Sequence, residues 1–333
     1  MDDGLRPRLI VAILVLAEDY DTTVDRVVDI LRERGAAFFR ADTAWFPQRL
    51  SVTAQLDGDG WSGVLRGPAR QIALRDIRSV WYRSPTGFRM DPQMSEAERR
   101  HAESEARLAL SGLLLSLPDA LWVNHPGREV EATKPHQLTM AKRCGLRAPD
   151  TLITSEPSAV REFAATHDQI VSKVLGANVV WEQGRRTVAH TRLLDKRDLA
   201  DLSGVEATAH LFQHYVVKEF DVRSVVVGSR VLSVAIHAHS AAAKVDFRAS
   251  YDDLTYEVID PPQRVLDGMR SYMNAFGLAY ACFDFAVGPG PDGPRTFWHL
   301  EANARGQHGW LERETGLPIS AVIADLLIKA DRA

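Results

Sequence analysis

The feature that most constrains the fold is a β-α-β pattern at the start of the chain. A continuous apolar segment at residues 9–16 has the length of a buried strand. Apolar residues then recur at helical spacing through 22–34, and Gly35 is a favourable helix terminator. Residues 37–40 have the pattern of a second strand. Two strands joined by a helix predict a parallel sheet with a right-handed crossover, so we expect the chain to open with an α/β domain.

The composition excludes several classes of protein. The chain has 333 residues, 45% hydrophobic and 25% charged, which is typical of a globular protein with about two or three domains. A net charge of −4 gives no electrostatic reason to expect nucleic acid or an anionic membrane as a partner. No apolar run reaches the roughly 20 residues of a membrane-spanning helix. Two cysteines far apart in the sequence favour a reduced compartment, so we expect a cytoplasmic protein.

The remaining pattern divides the chain into three units. The first, 1–124, is expected to be α/β and to contain a long helix at 91–117 and strands at 50–56, 60–66, 79–83 and 120–124. The second, 125–210, is expected to be α+β, with helices at 131–145 and 157–166, a turn region at 176–184, and strands at 151–154, 169–175 and 187–194. The third, 211–333, is expected to be α+β, with helices at 262–276 and 317–329 and strands at 213–217, 221–227, 230–238, 279–287 and 295–302.

Two strand segments near the end of the chain carry a candidate metal site. Glu301 and Asn303 are two residues apart on one strand and share a face. Asp284 lies on the expected partner strand, and an appropriate register brings it opposite them. Two carboxylates and an amide oxygen suit Mg²⁺. The alternative is that the carboxylates face solvent, although Glu301 ends an apolar strand.

Basic residues supply two further signals. Lys173 lies in an otherwise apolar strand, where a lysine is rarely left unpaired, and Lys134 lies at the start of a predicted helix. Phosphate oxygens or a nearby carboxylate are alternative partners for these lysines. Asp221 and Arg223 alternate on one face of a strand. They can hold a ribose hydroxyl and a phosphate, or they can form a cross-strand ion pair.

The order of these features along the chain resembles the ATP-grasp superfamily. The resemblance implies an N-terminal α/β (pre-ATP-grasp) domain and two α+β lobes that clamp ATP. It implies that Lys134 and Lys173 contact the phosphates, that Asp221 holds the ribose, and that Asp284, Glu301 and Asn303 hold Mg²⁺. The adenine would be lined by a hinge segment, which consists of Gln213, His214, Tyr215 and Val216.

Within that superfamily, several segments resemble the microviridin-type ligases that make graspetides, particularly their actinobacterial branch. These segments are 80–85, 124–154, 218–228, 245–248 and 301–319. The resemblance implies a ribosomally made precursor peptide with a leader segment as substrate, and a homodimer. The chain departs from the usual pattern at Ala302, Ala304 and Arg305, and at His214, where a hinge glutamate is common.

The chemistry implied by this resemblance is the activation of a peptide carboxylate by ATP. The acyl phosphate would then be joined to a Ser or Thr hydroxyl, or to a Lys amine. Arg223 is the candidate for stabilising the transferred phosphoryl group and the oxyanion, and Arg248 or Arg305 could share this role. Two alternatives remain open: a ligase that adds a free amino acid to a carboxylate, and an ATP-grasp protein that binds nucleotide or peptide without catalysis.

Overall fold

The computed structural model describes residues 12–330, apart from 59, 118, 177–178 and 183–184. The N-terminal part contains, in chain order, β1 (Ala12–Ala17), α1 (Thr22–Glu33), β2 (Ala37–Ala41), β3 (Ser51–Asp57), β4 (Gly60–Arg66), β5 (Gln71–Ala73), β6 (Ile77–Ser84), α2 (Glu96–Leu115) and β7 (Leu121–Val123). The four strands in the order β2-β1-β6-β7 form a parallel sheet, while β3, β4 and β5 form a small antiparallel sheet. The predicted β-α-β opening is confirmed. Residues 9–11 of the predicted first strand lie outside the described residues.

Helix α1 shows why this opening folds as the sequence predicts. The Asp21 carboxylate caps its N-terminus by accepting from the backbone N–H groups of Thr23 and Val24. The apolar residues at helical spacing are buried against β1. Gly35, which follows the helix, has a φ of +66°, a conformation that favours glycine.

The central part contains α3 (Pro126–Glu131), α4 (Lys134–Arg143), β8 (Thr151–Thr154), α5 (Pro157–Ala165), β9 (Ile170–Lys173), β10 (Val179–Glu182), β11 (Arg185–Val188), β12 (Arg192–Leu193), α6 (Lys196–Ala200) and β13 (His210–His214). Four strands form a sheet in the order β12-β9-β13-β8, and β10 pairs with β11.

Three predictions for the central part need correction. The helix predicted at 131–145 begins only at Lys134, because Thr133 takes an extended conformation as its N-cap and Pro135 suits the first turn. The turn region predicted at 176–184 includes strand β10. The strand predicted at 213–217 lies at His210–His214 and pairs with β8 and β9. The predicted division after residue 210 therefore separates this strand from its own sheet, and the domain boundaries stay predictions.

The C-terminal part contains β14 (Phe220–Val227), β15 (Arg230–Ala238), α7 (Ala241–Val245), β16 (Leu254–Ile259), α8 (Gln263–Phe276), β17 (Tyr280–Gly290), β18 (Gly293–Asn303), α9 (Gly309–Thr315) and α10 (Ile319–Lys329). The five strands form an antiparallel sheet in the order β16-β15-β14-β17-β18. Helix α8 packs on one face, and α10 shares a core with both this sheet and the N-terminal parallel sheet. Within the described ranges, no helix has the length and apolar character needed to cross a bilayer.

Candidate functional site

A cleft of about 280 Å³ lies between the central four-stranded sheet and the C-terminal five-stranded sheet. Strands β9 and β13 contribute one wall, and β14, β17 and β18 contribute the other. Every residue that we predicted to contact nucleotide or metal lines this cleft, together with one of the three predicted catalytic arginines. These residues are Lys134, Lys173, Gln213, His214, Tyr215, Val216, Asp221, Arg248, Asp284, Glu301 and Asn303.

The two strand carboxylates meet, because the strand register that the sequence left open brings them opposite each other. Asp284 on β17 lies directly opposite Glu301 on β18, beside an irregularity that places one extra residue, Leu300, in β18. Such a bulge re-aims the neighbouring side chains. The Asn303 amide nitrogen lies 3.3 Å from Asp284 Oδ2 and 3.2 Å from Glu301 Oε1, so all three side chains converge. Because Asp284 is only 6% exposed, the solvent-facing alternative is wrong for it.

This donor set fits a hard divalent cation. Burial alone would raise the pKa of Glu301, but Lys134, Arg248 and the Asn303 amide outweigh it and hold that pKa at about 2. The carboxyl is therefore ionised, as a metal ligand must be. In the described part of the chain, no group of three or more His, Cys, Asp or Glu side chains could hold a metal. A site here would therefore rest on two carboxylates, with phosphate oxygens or the Asn303 oxygen completing the ligand set. The Asn303 oxygen would take part only if this amide turns over, since its nitrogen faces both carboxylates.

The two predicted phosphate-binding lysines line the same cleft as Glu301. Lys134 Nζ is 3.4 Å from Glu301 Oε2 and donates to the Val174 carbonyl at 2.6 Å. Lys173 Nζ instead donates to Gln213 Oε1 at 2.8 Å. Burial lowers the pKa of Lys173 to about 8, against the opposing attraction of Glu301. Lys134 thus has a carboxylate partner, whereas the hydrogen bond of Lys173 is to a neutral amide.

Arg223 and Arg248 are each fixed by an aspartate. Arg223 uses Nε and Nη2 to bind both oxygens of Asp284, at 2.8 Å each, so the cross-strand ion pair considered for Arg223 forms with this residue. Arg248 binds both oxygens of Asp246 in the same way, at 2.8 and 2.9 Å. In Arg248 the remaining nitrogen, Nη1, points to Glu301 Oε1 at 3.5 Å.

Arg305, the third predicted catalytic arginine, lies in a different place. The residues predicted to bind metal, Asp284, Glu301 and Asn303, are called the metal-ligand cluster. A second cleft of about 830 Å³ is lined by Asn303 of this cluster, by Arg223 and Arg248 beside it, and also by Arg305. Arg305 Nε pairs with the Glu129 carboxylate, and its guanidinium lies 5.2 Å from the centre of the Tyr82 ring. Burial raises the pKa of Glu129 to about 7, against the opposing effect of Arg305. Arg305 therefore occupies the second cleft rather than the first.

The sequence analysis did not identify Lys218 and Asp246, which form ion pairs with two predicted site residues. Lys218 Nζ lies 2.7 Å from Asp221 Oδ1, and the other oxygen of this buried aspartate has no hydrogen-bond partner among the described residues. Burial raises the pKa of Asp221 to about 6, although Lys218 opposes the shift. Asp246, which fixes Arg248, is the second. Both carry the same signal in the sequence, an opposite charge two or three residues from a predicted site residue.

Two backbone N–H groups of the hinge segment already donate hydrogen bonds within the protein, which leaves fewer donors for an adenine base. The N–H of His214 donates to the Asp150 carbonyl at 2.9 Å, and the N–H of Tyr215 donates to the Gln169 carbonyl at 3.0 Å. The His214 ring lies 5.0 Å from the His167 ring, and burial together with His167 lowers the pKa of His214. The two backbone donors are thus already used.

Comparisons with known proteins agree with this geometry. A family model described as the MvdD pre-ATP-grasp domain matches residues 10–129. A RiPP-associated ATP-grasp ligase from Chryseobacterium gregarium, solved with ADP and a leader and core peptide, is 25% identical, with 97% of this chain and 99% of that chain covered and a TM-score of 0.85. Macrocyclase MdnC from Microcystis aeruginosa MRC, bound with precursor peptide MdnA, is 26% identical, with coverage of 96% and 99% and a TM-score of 0.81.

A third similar structure was solved with Mg as well as ADP. ATP-grasp ligase PsnB, complexed with a minimal precursor, Mg and ADP, is 26% identical, with 96% of this chain and 97% of that chain covered and a TM-score of 0.75. No curated protein sequence matches the chain.

The two-lobed cleft and these matches define an ATP-grasp fold. More closely, residues 10–129 match a model of an MvdD pre-ATP-grasp domain, and almost the whole chain is similar to RiPP-associated ATP-grasp ligases.

Proposed function

We propose that this chain is an ATP-dependent peptide side-chain ligase that closes macrocycles in a ribosomally made precursor. It would activate Asp or Glu carboxylates of the precursor as acyl phosphates and join them to Thr or Ser hydroxyls, or to Lys amines. The observation that carries the proposal is the convergence of Asp284, Glu301 and Asn303 opposite two lysines in a cleft between the lobes. The whole-chain similarity to peptide-bound RiPP-associated ligases supports a peptide substrate.

Each predicted residue has a place in this proposal. Lys134 and Lys173 bind the phosphates that remain in ADP, and the hinge segment (residues 213–216) lines the adenine. Asp221, held by Lys218, accepts from a ribose hydroxyl through its unpartnered oxygen. Asp284, Glu301 and Asn303 hold Mg²⁺, which supplies charge neutralisation to the phosphates when it is bound.

The reaction consists of two displacements. A peptide carboxylate oxygen attacks the γ-phosphorus of ATP, and the bond to the β-phosphate oxygen breaks to release ADP. A hydroxyl or amine then attacks the acyl carbon, phosphate leaves with the bonding electrons, and the nucleophile loses its proton. Since little covalent chemistry falls to the protein, its work is positioning and charge stabilisation.

The arginines are suited to different parts of this work. Arg223 is buried and doubly bound to Asp284, so it fixes the carboxylate and presents little free surface. Arg248 is about one third exposed at its side chain and borders both clefts. We therefore assign stabilisation of the phosphoryl group and the oxyanion first to Arg248, with Arg223 beside it. Arg305 would contact the peptide in the second cleft rather than the reacting atoms.

Three finer assignments belong to the same proposal. The motif resemblance supports the actinobacterial branch of these ligases, and the family resemblance supports a homodimer. Cysteine usage supports a cytoplasmic location. Size-exclusion chromatography with light scattering tests the homodimer, because a dimer has twice the 37.0 kDa of the chain.

Intact mass spectrometry tests the function. The protein is incubated with Mg²⁺, ATP and a short peptide rich in Thr and Asp or Glu, encoded beside its gene. We expect the peptide to lose one or more waters, and Glu301→Gln or Asp284→Asn to abolish this loss. Glu219→Gln, at an exposed ion pair outside the clefts, is the control and keeps the activity.

Other results separate the alternatives. A mass gain of one residue in the presence of free amino acids identifies an amino-acid ligase. No ADP release under any condition contradicts the enzyme and favours the binding protein. Near wild-type ligation by either carboxylate variant contradicts the metal assignment.

A further inference from the structure

The N-terminal parallel sheet has a pocket at its carboxyl edge that the reaction described above does not use. It has a volume of about 250 Å³ and is lined by Leu16 at the end of β1, Tyr82 at the end of β6 and Trp122 in β7. Helix α2 closes one side with Leu110 and Leu114, which are buried. The lining is thus mainly aromatic and aliphatic.

The position of this pocket in the sheet is one where ligands bind in α/β folds. In the order β2-β1-β6-β7, the chain moves to one side of β1 to form β2 and to the other side to form β6. The crevice outside the carboxyl ends of strands at such a reversal is a general ligand-binding position. The pocket lies beside this reversal because Leu16 and Tyr82 belong to the two strands concerned.

Two contacts join the pocket to the second cleft. Tyr82 lines the pocket, and the guanidinium of Arg305 lies over its ring and lines the second cleft. Helix α3 begins at the pocket with Pro126, and its Glu129 holds the same arginine. The apolar pocket is therefore separated from the cleft next to the metal-ligand cluster by a single layer of side chains.

The charge of the second cleft and the lining of the pocket identify the occupant. The described lining of the second cleft includes five arginines and no acidic side chain. Each arginine is ion-paired with a carboxylate outside that lining, but the side chains of Arg26 and Arg313 are more than half exposed, so carboxylates of an acidic peptide can reach them. The five are Arg26, Arg223, Arg248, Arg305 and Arg313. The apolar pocket has a volume of about 250 Å³ and a mainly aromatic and aliphatic lining, and its Tyr82 contacts Arg305 of the second cleft. It suits one aromatic or branched aliphatic side chain of that same peptide.

We propose that the pocket between β6, β7 and α2 is a specificity subsite that takes one large apolar side chain of the acidic peptide whose carboxylates enter the arginine-lined second cleft. This inference rests on the proposed function, since it assigns part of the same substrate. It predicts that the enzyme selects a peptide by an apolar residue at a fixed distance from the reacting carboxylate.

The test fills the pocket with a side chain of the enzyme. Ser111 lines the pocket and is half-buried on α2, so Ser111→Phe occupies the space. Ser104 is exposed on the same helix, and Ser104→Phe is a matched control. Leu115→Gln, at the partly exposed rim, is a second variant that leaves the buried core unchanged. Thermal unfolding and ATP affinity establish that each variant is folded.

The probes are synthetic peptides of Asp, Glu, Thr and Gly that carry a single Phe at successive positions, with Ala-substituted counterparts. For wild type and Ser104→Phe, we expect KM to fall by roughly tenfold or more when Phe is at one position, because a buried apolar side chain contributes that much. Ser111→Phe and Leu115→Gln should lose this preference and keep ATP affinity.

Two results overturn the subsite while the proposed function stands. One is peptide ligation by wild type with the same KM for every Phe position. The other is an unchanged Phe preference in folded Ser111→Phe. If wild type modifies the gene-encoded peptide but neither binds nor modifies any of the Phe-carrying peptides, the subsite is wrong and the proposed function stands; if the gene-encoded peptide is not modified either, both are wrong.

Discussion

Glu301 is the residue on which most charges of the site converge. It lies between Lys134 and Arg248 and accepts from Asn303, and these interactions hold its pKa at about 2 in spite of burial. Its charge compensates these cations, and in the proposed function it also supplies a metal ligand. These two roles make opposite predictions for nucleotide binding and for turnover.

We therefore expect Glu301→Gln to separate binding from catalysis. Without the carboxylate, Lys134 and Arg248 are free to bind phosphate, so ATP affinity measured without metal should be kept or increased. Turnover should fall by roughly a hundred- to a thousandfold, because charge stabilisation at the phosphates is lost. Calorimetry and ADP release measure the two quantities. A parallel loss of both would contradict the assignment, and Glu219→Gln should change neither.

Lys173 makes nucleotide binding sensitive to alkaline pH. Its folded pKa of about 8 lies below the usual 10.5, so the lysine loses its charge as pH rises through about 8. Phosphate stabilises the charged form, and ATP binding above that pH must therefore take up a proton. We expect the ATP affinity to weaken progressively between about pH 7 and pH 9.

Titration calorimetry in two buffers with different ionisation enthalpies measures this proton uptake. Lys173→Arg keeps its charge throughout and should show a flat affinity over the same range. A wild-type affinity that does not change with pH, or an equal slope in the variant, would contradict the role of Lys173.

One buried side chain, that of Asn124, connects strand β7, strand β17 and the loop after β18. Asn124 follows β7 and is fully buried. Its amide nitrogen donates to the carbonyls of Tyr280 and Ala304, and its oxygen accepts from the N–H groups of Ala279 and Tyr280, at 2.7–3.0 Å. The start of β17 and the loop after the metal-ligand strand β18 are thus fixed to the N-terminal sheet.

Asn124→Ala should therefore destabilise the protein and disturb the loop. Two carbonyls and two N–H groups lose their partner in a buried place, which costs about 3 kcal/mol or more in the free energy of unfolding. Urea denaturation measures this cost. Asn274→Ala, at an exposed position of α8, should stay within about 0.5 kcal/mol of wild type. A similarly small change for Asn124→Ala would show that the four hydrogen bonds of Asn124 do not contribute to the free energy of unfolding.

The sequence predicted elements well where local signals decide the structure. The Gly228-Ser229 hairpin and the β-α-β opening follow from turn residues and periodicity, and both form. The extra residue Leu300 in β18 was not predictable, because a bulge depends on how the partner strand packs. Strand β13 was misplaced because its pairing with β8 and β9 outweighs local propensity.

For the site, the sequence identified individual cleft residues but not the residues with which they form ion pairs. That Glu301 and Asn303 share a face was predicted, because two-residue periodicity fixes which side chains of a strand lie together. The register that brings Asp284 opposite Glu301 was only a condition of the prediction, and the structure supplies it. That Asp284 is bound by Arg223, and that Arg305 pairs with Glu129, depends on residues far apart in the chain. Long-range ion pairs leave no periodic signal, so structure alone gives them.

Over the whole molecule, positive side chains are concentrated at the second cleft. The chain has a net charge of −4, yet the described lining of this cleft contains arginines and no carboxylate. Each of these arginines has a carboxylate partner outside the lining, but Arg26 and Arg313 remain more than half exposed. Positive side chains on a concave surface speed the association of an oppositely charged partner. An acidic peptide is therefore attracted to the cleft although the protein as a whole is acidic.

Salt should weaken this attraction without changing the chemical step. The Debye length falls from about 10 Å at 0.1 M salt to about 3 Å at 1 M, so raising NaCl across that range should increase KM for an acidic peptide several-fold. The turnover number at saturating peptide should change little, because Asp284 and Arg223, beside the proposed reaction site, are buried. Arg313→Gln, in the cleft, should reduce the salt dependence of KM, whereas Arg295→Gln, at an exposed ion pair outside it, should not. A KM that is independent of salt, or a salt effect on turnover alone, would mean that the arginines serve the chemical step rather than the capture of the peptide.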